Sequence, residues 1–169
     1  MASTGEVACY GRNKYEAFLK AIVSAGFFIP KKAALISGNI SDIHVDSVKQ
    51  LQRSGLKIYS TPETTPVLKK AGIASTELTI DDNTKTGVYD FLRTKQFDLV
   101  VNLPYPEPND AHYRIRRRAI DFTIPVITDS NIFITTAKAL DTVKDSLHIT
   151  GWDEYFPEEL EATNKAREE

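Results

Sequence analysis

The turn at residues 60–66, which reads STPETTP, concentrates groups that can hold an anion. Thr61 and Thr64 can each offer a hydroxyl and a backbone donor at the start of a predicted helix, where the helix dipole also favours negative charge. Thr65 followed by Pro66 is a sufficient helix start without any ligand, with Thr65 as the N-cap. Glu63 adds a negative charge to the same turn. The turn alone therefore leaves two hypotheses open, an anion site and a capped helix.

Asn102 is a second candidate, because it lies near the end of the apolar run FDLVVNL at residues 97–103. A polar side chain at the end of a buried strand needs hydrogen-bond partners, which a ligand or the neighbouring loop backbone can supply. In an open α/β sheet, ligands bind beyond the carboxyl ends of the strands. Ser37, Thr128 and Asp129 also stand at such predicted ends, so they are candidates for the same site.

The basic run RIRRR at residues 114–118 raises the question of nucleic-acid binding. On a helix, only some of these arginines can share a face, and no glycine-aromatic motif or zinc spacing accompanies them. We therefore interpret the run as a solvated or salt-bridged helix face and expect no nucleic-acid partner. The three histidines are scattered without a companion at metal-ligand spacing, which predicts no metal site. The chain also lacks a Gly-x-Ser-x-Gly elbow, a P-loop and a Cys–His nucleophile arrangement.

Five short apolar runs predict the strands that position these candidates, at residues 33–37, 56–60, 74–80, 97–103 and 124–128. Amphipathic stretches predict the intervening helices, at residues 46–55, 65–72, 88–95, 112–122 and 131–143. The fourth run is apolar almost throughout, which is typical of a strand covered on both faces. The alternation predicts an α/β fold, a single doubly wound, Rossmann-like three-layer domain with a central, mainly parallel five-stranded sheet.

The two ends of the chain differ from this core. Residues 13–25 predict an amphipathic N-terminal helix ahead of the first strand. The C-terminal tail is acidic and carries an aromatic cluster ahead of a polar run, namely Trp152, Tyr155 and Phe156. We expect these aromatic residues to dock on the domain, and an interface with another polypeptide region is the alternative.

The composition of the 169 residues, 41% hydrophobic with a formal net charge of −2, fits one domain with a real core and gives no global attraction to nucleic acid. Cys9 is the only cysteine, which excludes an intramolecular disulfide and fits a reducing compartment. No apolar run approaches the length of a membrane span, and the first residues lack the pattern of a secretory signal. We therefore expect a soluble intracellular domain without a membrane partner.

Several segments resemble the methylglyoxal-synthase-like regulatory domain of carbamoyl-phosphate synthetase large chains. Residues 3–32, which begin STGEVACYGR, are similar to the junction between the last synthetase domain and the regulatory domain. The other matching blocks are ALIS at 34–37, the threonine turn at 60–65, FDLVVNLP at 97–104, YRIRRRAIDF at 113–122 and IPVITDSN at 124–131. The resemblance implies three parts: the end of a synthetase domain with a linker helix at residues 1–29, the regulatory domain at 30–145, and a tail at 146–169.

This resemblance implies an allosteric domain that binds a small anionic effector, of the nucleotide or N-acetylglutamate class, and regulates carbamoyl phosphate synthesis for the arginine or pyrimidine pathway. The implied partners are the synthetase domains of the same chain and a glutaminase subunit or domain. The domain itself would need no cofactor, whereas ATP and Mg would serve the parent ligase. The implied location is the cytoplasm, with the mitochondrial matrix as the alternative. The positions that match the family's effector site are Ser37, Thr61, Thr64, Asn102, Thr128, Asp129, Asn131 and Thr135.

Some positions depart from the family pattern. Nucleotide-responsive bacterial members carry lysines after the first and third strands, where this chain has Ile43 and Ile80, and Tyr105 replaces an asparagine. Lys85 is the candidate cation from a nearby loop. The departures support an alternative function, an effector-insensitive structural or subunit-contact module of an arginine-specific synthetase. A methylglyoxal-synthase-type lyase is disfavoured, because Lys85 stands where the family places an aspartate base, and a protonated lysine cannot abstract a carbon-bound proton at useful rates.

Overall fold

A five-stranded parallel sheet forms the centre of the computed structural model, which describes residues 5–81, 86–107, 110–143, 147 and 150–156. The strands are β1 (Ala33–Gly38), β2 (Lys57–Ser60), β3 (Thr76–Glu77), β4 (Leu99–Leu103) and β5 (Val126–Ile127). Their order in the sheet is β3-β2-β1-β4-β5, and every pairing is parallel. The chain therefore moves outward from β1 first on one side and then on the other, which confirms the predicted doubly wound α/β fold.

Helices cover both faces of this sheet. They are α1 (Lys14–Ser24), α2 (Val45–Arg53), α3 (Thr65–Lys70), α4 (Val88–Arg93), α5 (Asp110–Asp121), α6 (Ser130–Val143) and α7 (Trp152–Tyr155), and a single 3₁₀ turn at Asp42–His44 precedes α2. Helix α6 packs against both α1 and α2, whereas α4 packs against α5. Among the described residues, no helix combines the length and apolar character needed to cross a membrane.

The central strands bury side chains on both faces. In β1, Ala34 and Ile36 join the apolar cluster that includes α1, α2 and α6, whereas Ala33 and Leu35 join the cluster beneath α4 and α5. The residues of β1 and β4 are all buried, as the continuous apolar run in β4 predicts. Full burial of a side chain such as Leu35 contributes about 1.5–3 kcal/mol relative to exposure. This double-sided core fixes where the carboxyl ends of the strands meet.

The outer strands are shorter than the sequence predicts. β3 and β5 each contain two paired residues, and each has a single neighbour in the sheet. Both residues of β3 are exposed. The predicted runs were therefore right in position and too long, because an edge strand with an exposed side gains less from burial than a central strand does.

The helix ends correct one sequence prediction and confirm another. Helix α3 already includes Thr65, whose hydroxyl donates to the Thr61 carbonyl oxygen at 3.0 Å. The assignment of Thr65 as the N-cap was therefore wrong, because this hydroxyl points back into the turn. Gly55 and Gly72 follow α2 and α3 with positive φ angles of 90° and 71°, which confirms that the helices predicted at residues 46–55 and 65–72 end at these glycines.

The described part of the C-terminal segment docks on the N-terminal helix. The Tyr155 hydroxyl accepts a hydrogen bond from Lys20 Nζ at 2.6 Å and donates to the Tyr10 carbonyl oxygen at 3.2 Å. The Phe156 ring meets the Tyr10 ring edge to face, with centroids 6.3 Å apart. Docking is therefore confirmed for Tyr155 and Phe156, whereas the side chain of Trp152 lies outside the described part.

Candidate functional site

Gly38 brings the ends of β1 and β4 close enough to form a site. Its φ angle is +86°, and a Cβ atom at this position would collide with the carbonyl oxygen of Leu103. The Gly38 carbonyl oxygen accepts hydrogen bonds from the Tyr105 hydroxyl at 3.2 Å and from Thr64 Oγ1 at 3.4 Å. Position 38 therefore requires a glycine, and this glycine joins the loops that follow β1, β2 and β4.

Asn102 lies at the centre of a buried polar network. Its side chain is fully buried, and its Nδ2 donates to Ser37 Oγ at 2.8 Å. The Ser37 hydroxyl in turn donates to the Val101 carbonyl oxygen at 3.0 Å. From helix α5, Arg116 donates to Asn102 Oδ1 at 2.7 Å, and His112 Nδ1 lies 3.1 Å from Asn102 Nδ2. Within the described residues, Asn102 is therefore held by side chains of β1 and α5.

The threonine turn packs against this network. Thr61 and Thr64 are both buried, and the turn is closed by a hydrogen bond from the Thr64 backbone nitrogen to the Thr61 carbonyl oxygen at 2.9 Å. Thr61 Oγ1 lies 3.3 Å from Thr64 Oγ1 and donates to Glu63 Oε1 at 2.5 Å. Both threonine hydroxyls face inward, so they serve the interior of the site as well as the helix start.

A pair formed by Glu63 and His112 connects the turn to helix α5. Glu63 Oε1 lies 3.1 Å from His112 Nε2. Since Asn102 Nδ2 has only hydrogens to give, His112 Nδ1 accepts and Nε2 carries the proton that it donates to Glu63. Partial burial raises the pKa of Glu63, but the hydrogen bonds from His112 and Thr61 outweigh it and leave that pKa below its ordinary value. Glu63 is therefore a carboxylate at neutral pH.

His112 and Arg116 are the two site residues that the sequence analysis missed. They stand four residues apart on the helix after β4, a spacing that places both on one helix face. That spacing, together with the position of Asn102 at the end of β4, was the available signal. The interpretation of the basic run holds for Arg117, which pairs with Asp121 at 3.1 Å, and is wrong for Arg116, which enters the site.

The structure does not join the remaining predicted residues to this network. Thr128 and Asp129 are exposed after β5, and Asp129 Oδ1 accepts from the Ile132 backbone nitrogen at 2.9 Å, where it caps α6. Asn131 is exposed in the first turn of α6. Thr135 lines a separate cavity with residues of α1, among them Lys14 and Tyr15. Lys85 lies outside the described residues.

The three positions that depart from the family pattern carry side chains that are uncharged at neutral pH. Ile43 is 69% exposed, and Ile80 is partly buried against the cluster beneath α4 and α5. The Tyr105 ring lies 5.2 Å from the His112 ring, and burial together with the negative charge of Glu63 raises the pKa of its hydroxyl. Within the described ranges, no group of three or more His, Cys, Asp and Glu side chains could hold a metal ion.

A cavity of about 480 Å³ opens elsewhere, between the N-terminal segment and α1. Its lining includes Cys9, Lys20, Ser24 and Tyr155, and it contains none of the residues of the buried polar network. The network is the stronger candidate, because several fully buried polar side chains from different elements converge there, at the carboxyl edge where α/β sheets bind ligands.

Comparison with known proteins gives consistent matches. A family model described as the MGS-like domain matches residues 44–128. The chain is 33% identical over 168 residues to "Multifunctional protein CAD" of Squalus acanthias, which covers 86% of this chain and 7% of that protein. It is 36% identical over 145 residues to "Multifunctional protein URA2" of Saccharomyces cerevisiae, covering 76% of this chain and 6% of that protein. It is also 34% identical over 149 residues to human "Carbamoyl-phosphate synthase [ammonia], mitochondrial", covering 83% of this chain and 10% of that protein. The chain thus spans a tenth or less of the length of these relatives.

Proposed function

Because the chain belongs to the MGS-like domain family, we propose that it is the regulatory, effector-binding domain of a carbamoyl-phosphate synthetase large chain. The parent chain would be an ATP- and Mg-dependent ligase that works with its own synthetase domains and with a glutaminase subunit or domain. The domain would sense a small anionic metabolite and pass the signal to those synthetase domains.

The observation that carries this proposal is the convergence of Ser37, Thr61, Thr64 and Asn102, all of them buried, at one edge of the sheet. The contacts described above link these residues, through His112, into one hydrogen-bonded network with Arg116. A protein that needed only a stable core would lose little by placing apolar groups at these positions. A binding site, in contrast, needs polar groups held in fixed directions.

On the side of helix α5, the network carries a positive charge that suits an anionic ligand. Arg116 brings a positively charged guanidinium group, and its side chain is half-buried beside Asn102. An effector that binds one state of the synthetase more tightly than another would shift the equilibrium between them by that difference in affinity. The domain would then regulate without any chemistry of its own.

Calorimetric titration of the chain with UMP, IMP, UTP, phosphoribosyl pyrophosphate and N-acetylglutamate tests this proposal. We expect one of these ligands to release or take up heat at micromolar concentration, and Arg116→Met to abolish that signal while the circular dichroism spectrum stays unchanged. Arg117→Met is the matched control, because Arg117 faces Asp121 and is exposed. Binding of UMP or UTP would favour the pyrimidine pathway, and binding of N-acetylglutamate the arginine pathway. Silence from all five ligands with a folded sample would contradict effector binding.

A second function, an effector-insensitive structural or subunit-contact module, is favoured by one feature. The Glu63 carboxylate already uses donors from Thr61 and His112. In a module of this kind the double variant Thr61→Ala with Thr64→Ala would unfold at a lower denaturant concentration, and no ligand would change its stability or that of the wild type.

A further inference from the structure

The carboxylate of Glu63 has an unusual place in the site. Glu63 stands between Thr61 and Thr64, and its Oε1 lies 2.5 Å from Thr61 Oγ1 and 3.1 Å from His112 Nε2. Its own side chain is 32% exposed, whereas the side chain of His112 is 4% exposed. An ionised group on the outer side of the network therefore faces donors on the inner side.

We propose that Glu63 is a specificity-determining residue of this site: its carboxylate occupies the place of a ligand anion, so an anionic ligand enters only by displacing it. This inference rests on the proposed function, since it concerns the same site. It adds that the donors of Thr61 and His112 are already in use, and that the chain itself supplies the group that uses them.

The physical reason is competition for donors and space. A hydroxyl has one hydrogen to donate, and Thr61 Oγ1 donates it to Glu63. The Nε2 proton of His112 is likewise directed at Glu63. A second anion placed at these donors would face a carboxylate at close range, where like charges repel strongly. Wild-type Glu63 therefore selects against anions that bind the donors of Thr61 and His112 no more strongly than its own carboxylate does.

Displacement of this carboxylate is compatible with the packing. The turn that carries Glu63 is closed by a backbone hydrogen bond from Thr64 to Thr61, in which the Glu63 side chain takes no part. Rotation of a partly exposed side chain toward water leaves that backbone hydrogen bond and the buried Asn102 in place. The site can thus open by a change of one rotamer.

Titration with inorganic phosphate tests the proposal, because phosphate carries negative charge without any nucleoside or acyl group. The proteins are the wild-type chain and its Glu63→Ala and Glu63→Gln variants, followed by calorimetry and by thermal unfolding at constant ionic strength. We expect Glu63→Ala to bind phosphate about tenfold more tightly than the wild type, which corresponds to about 1.4 kcal/mol. Glu63→Gln keeps an acceptor and loses the charge, so its affinity should fall between the two.

Two further variants identify the origin of any increase in phosphate affinity. Glu77→Ala removes the same charge from the exposed edge strand β3 and should leave phosphate binding at the wild-type level. Adding Thr61→Ala to Glu63→Ala should return the affinity to that level, because it removes the uncovered donor. Equal phosphate affinity in wild type, Glu63→Ala and Glu63→Gln would overturn the proposal, as would an equal gain from Glu77→Ala.

The failure of this inference can be distinguished from failure of the proposed function. If an effector binds the wild type while the Glu63 variants show no gain for phosphate, the site is functional and Glu63 does not occupy its anion position. If no effector binds the wild type while Glu63→Ala gains phosphate affinity, Glu63 keeps the site closed and the regulatory function fails. The two experiments therefore report on separate statements.

Discussion

Two polar networks among the described residues each contain one glutamate, and they differ in how far that carboxylate is exposed to solvent. Glu16 is 6% exposed in α1, where Oε1 lies 2.7 Å from Lys20 Nζ and Oε2 accepts from the Arg12 backbone nitrogen at 2.8 Å. Glu63 sits at the carboxyl edge of the sheet with a side chain that is 32% exposed. The first carboxylate is enclosed by the chain, whereas the second one covers a set of donors.

The contacts that shift the pKa values reflect the same difference between the two networks. The hydrogen bond from Lys20 lowers the pKa of Glu16 against the effect of burial, and the hydrogen bonds that Lys20 donates to Glu16 and Tyr155 raise the pKa of Lys20. The Glu16 pair thus holds three segments together: the residues before α1, the helix itself and Tyr155 of the C-terminal segment. Glu63 connects two elements that the fold already holds in place. The comparison indicates that Glu16 stabilises the structure and that Glu63 controls access to a site.

The largest expected effect comes from Glu16→Ala. This substitution leaves Lys20 without its carboxylate and removes the acceptor of the Arg12 backbone nitrogen. Loss of one partner from a largely buried pair predicts a decrease of about 3 kcal/mol in the free energy of unfolding. Urea denaturation measures it, with the exposed Glu154→Ala as a control. A decrease as small as that of the control would remove the distinction between the two networks.

Asn102→Ala is expected to cost about 2 kcal/mol, because it leaves Arg116 and Ser37 without one partner each inside the structure. The same denaturation experiment checks this value. Because Asn102 lies at the centre of the site, its substitution should lower the free energy of unfolding and also weaken ligand binding in a titration. A stability equal to that of the wild type would mean that water or a rearranged side chain replaces these hydrogen bonds.

Tyr155→Phe should reduce the free energy of unfolding by about 1 kcal/mol, since it removes a hydroxyl that bonds Lys20 and the Tyr10 carbonyl oxygen while it keeps the ring. A double-mutant cycle with Glu16→Ala would show coupling between the two residues, because both contact Lys20. Additive effects in this cycle would contradict the description of α1 and the C-terminal segment as one network.

Glu63→Gln should have the smallest effect on stability, less than about 1 kcal/mol, because the carboxylate is partly exposed and solvent screens its interactions. The pKa of Glu63 in the folded chain lies below its ordinary value of 4.5, so the unfolded chain binds its proton first as the pH falls. The stability that the wild type gains from the Glu63 carboxylate is therefore complete when the pH lies above the ordinary pKa of 4.5, and it is lost as the pH falls toward the pKa of the folded chain. Urea denaturation of both proteins from neutral pH to pH 3 checks the trend. A difference that grows with acidification would contradict the assigned ionisation.

The sequence predicted the part of the site that follows from strand ends. Ser37 and Asn102 close apolar runs, and Thr61 follows one, so a parallel sheet brings them to one edge whatever the details of packing. Thr135 shows what this reasoning omits. It was a candidate only through the family resemblance, and in the structure α6 presents it to a different cavity beside α1. Helix rotation depends on which residues the neighbouring helix offers, and no local pattern contains that information.

By itself, the sequence determined the alternation of strands and helices and the parallel sheet, because hydrophobic period and strand order act locally or through simple topology. Four of the candidates that it named prove to be buried, namely Ser37, Thr61, Thr64 and Asn102. Only the tertiary structure decided which charges enter the site. The sequence placed Glu63 in a turn and Arg116 in a basic run, where each could equally have faced water. Packing of α5 beside β4 and the threonine turn put His112 between Asn102 and Glu63. Hydrogen bonds between elements distant in the chain thus fix the electrostatic character of this site, since they depend on directions that exist only after the elements have packed.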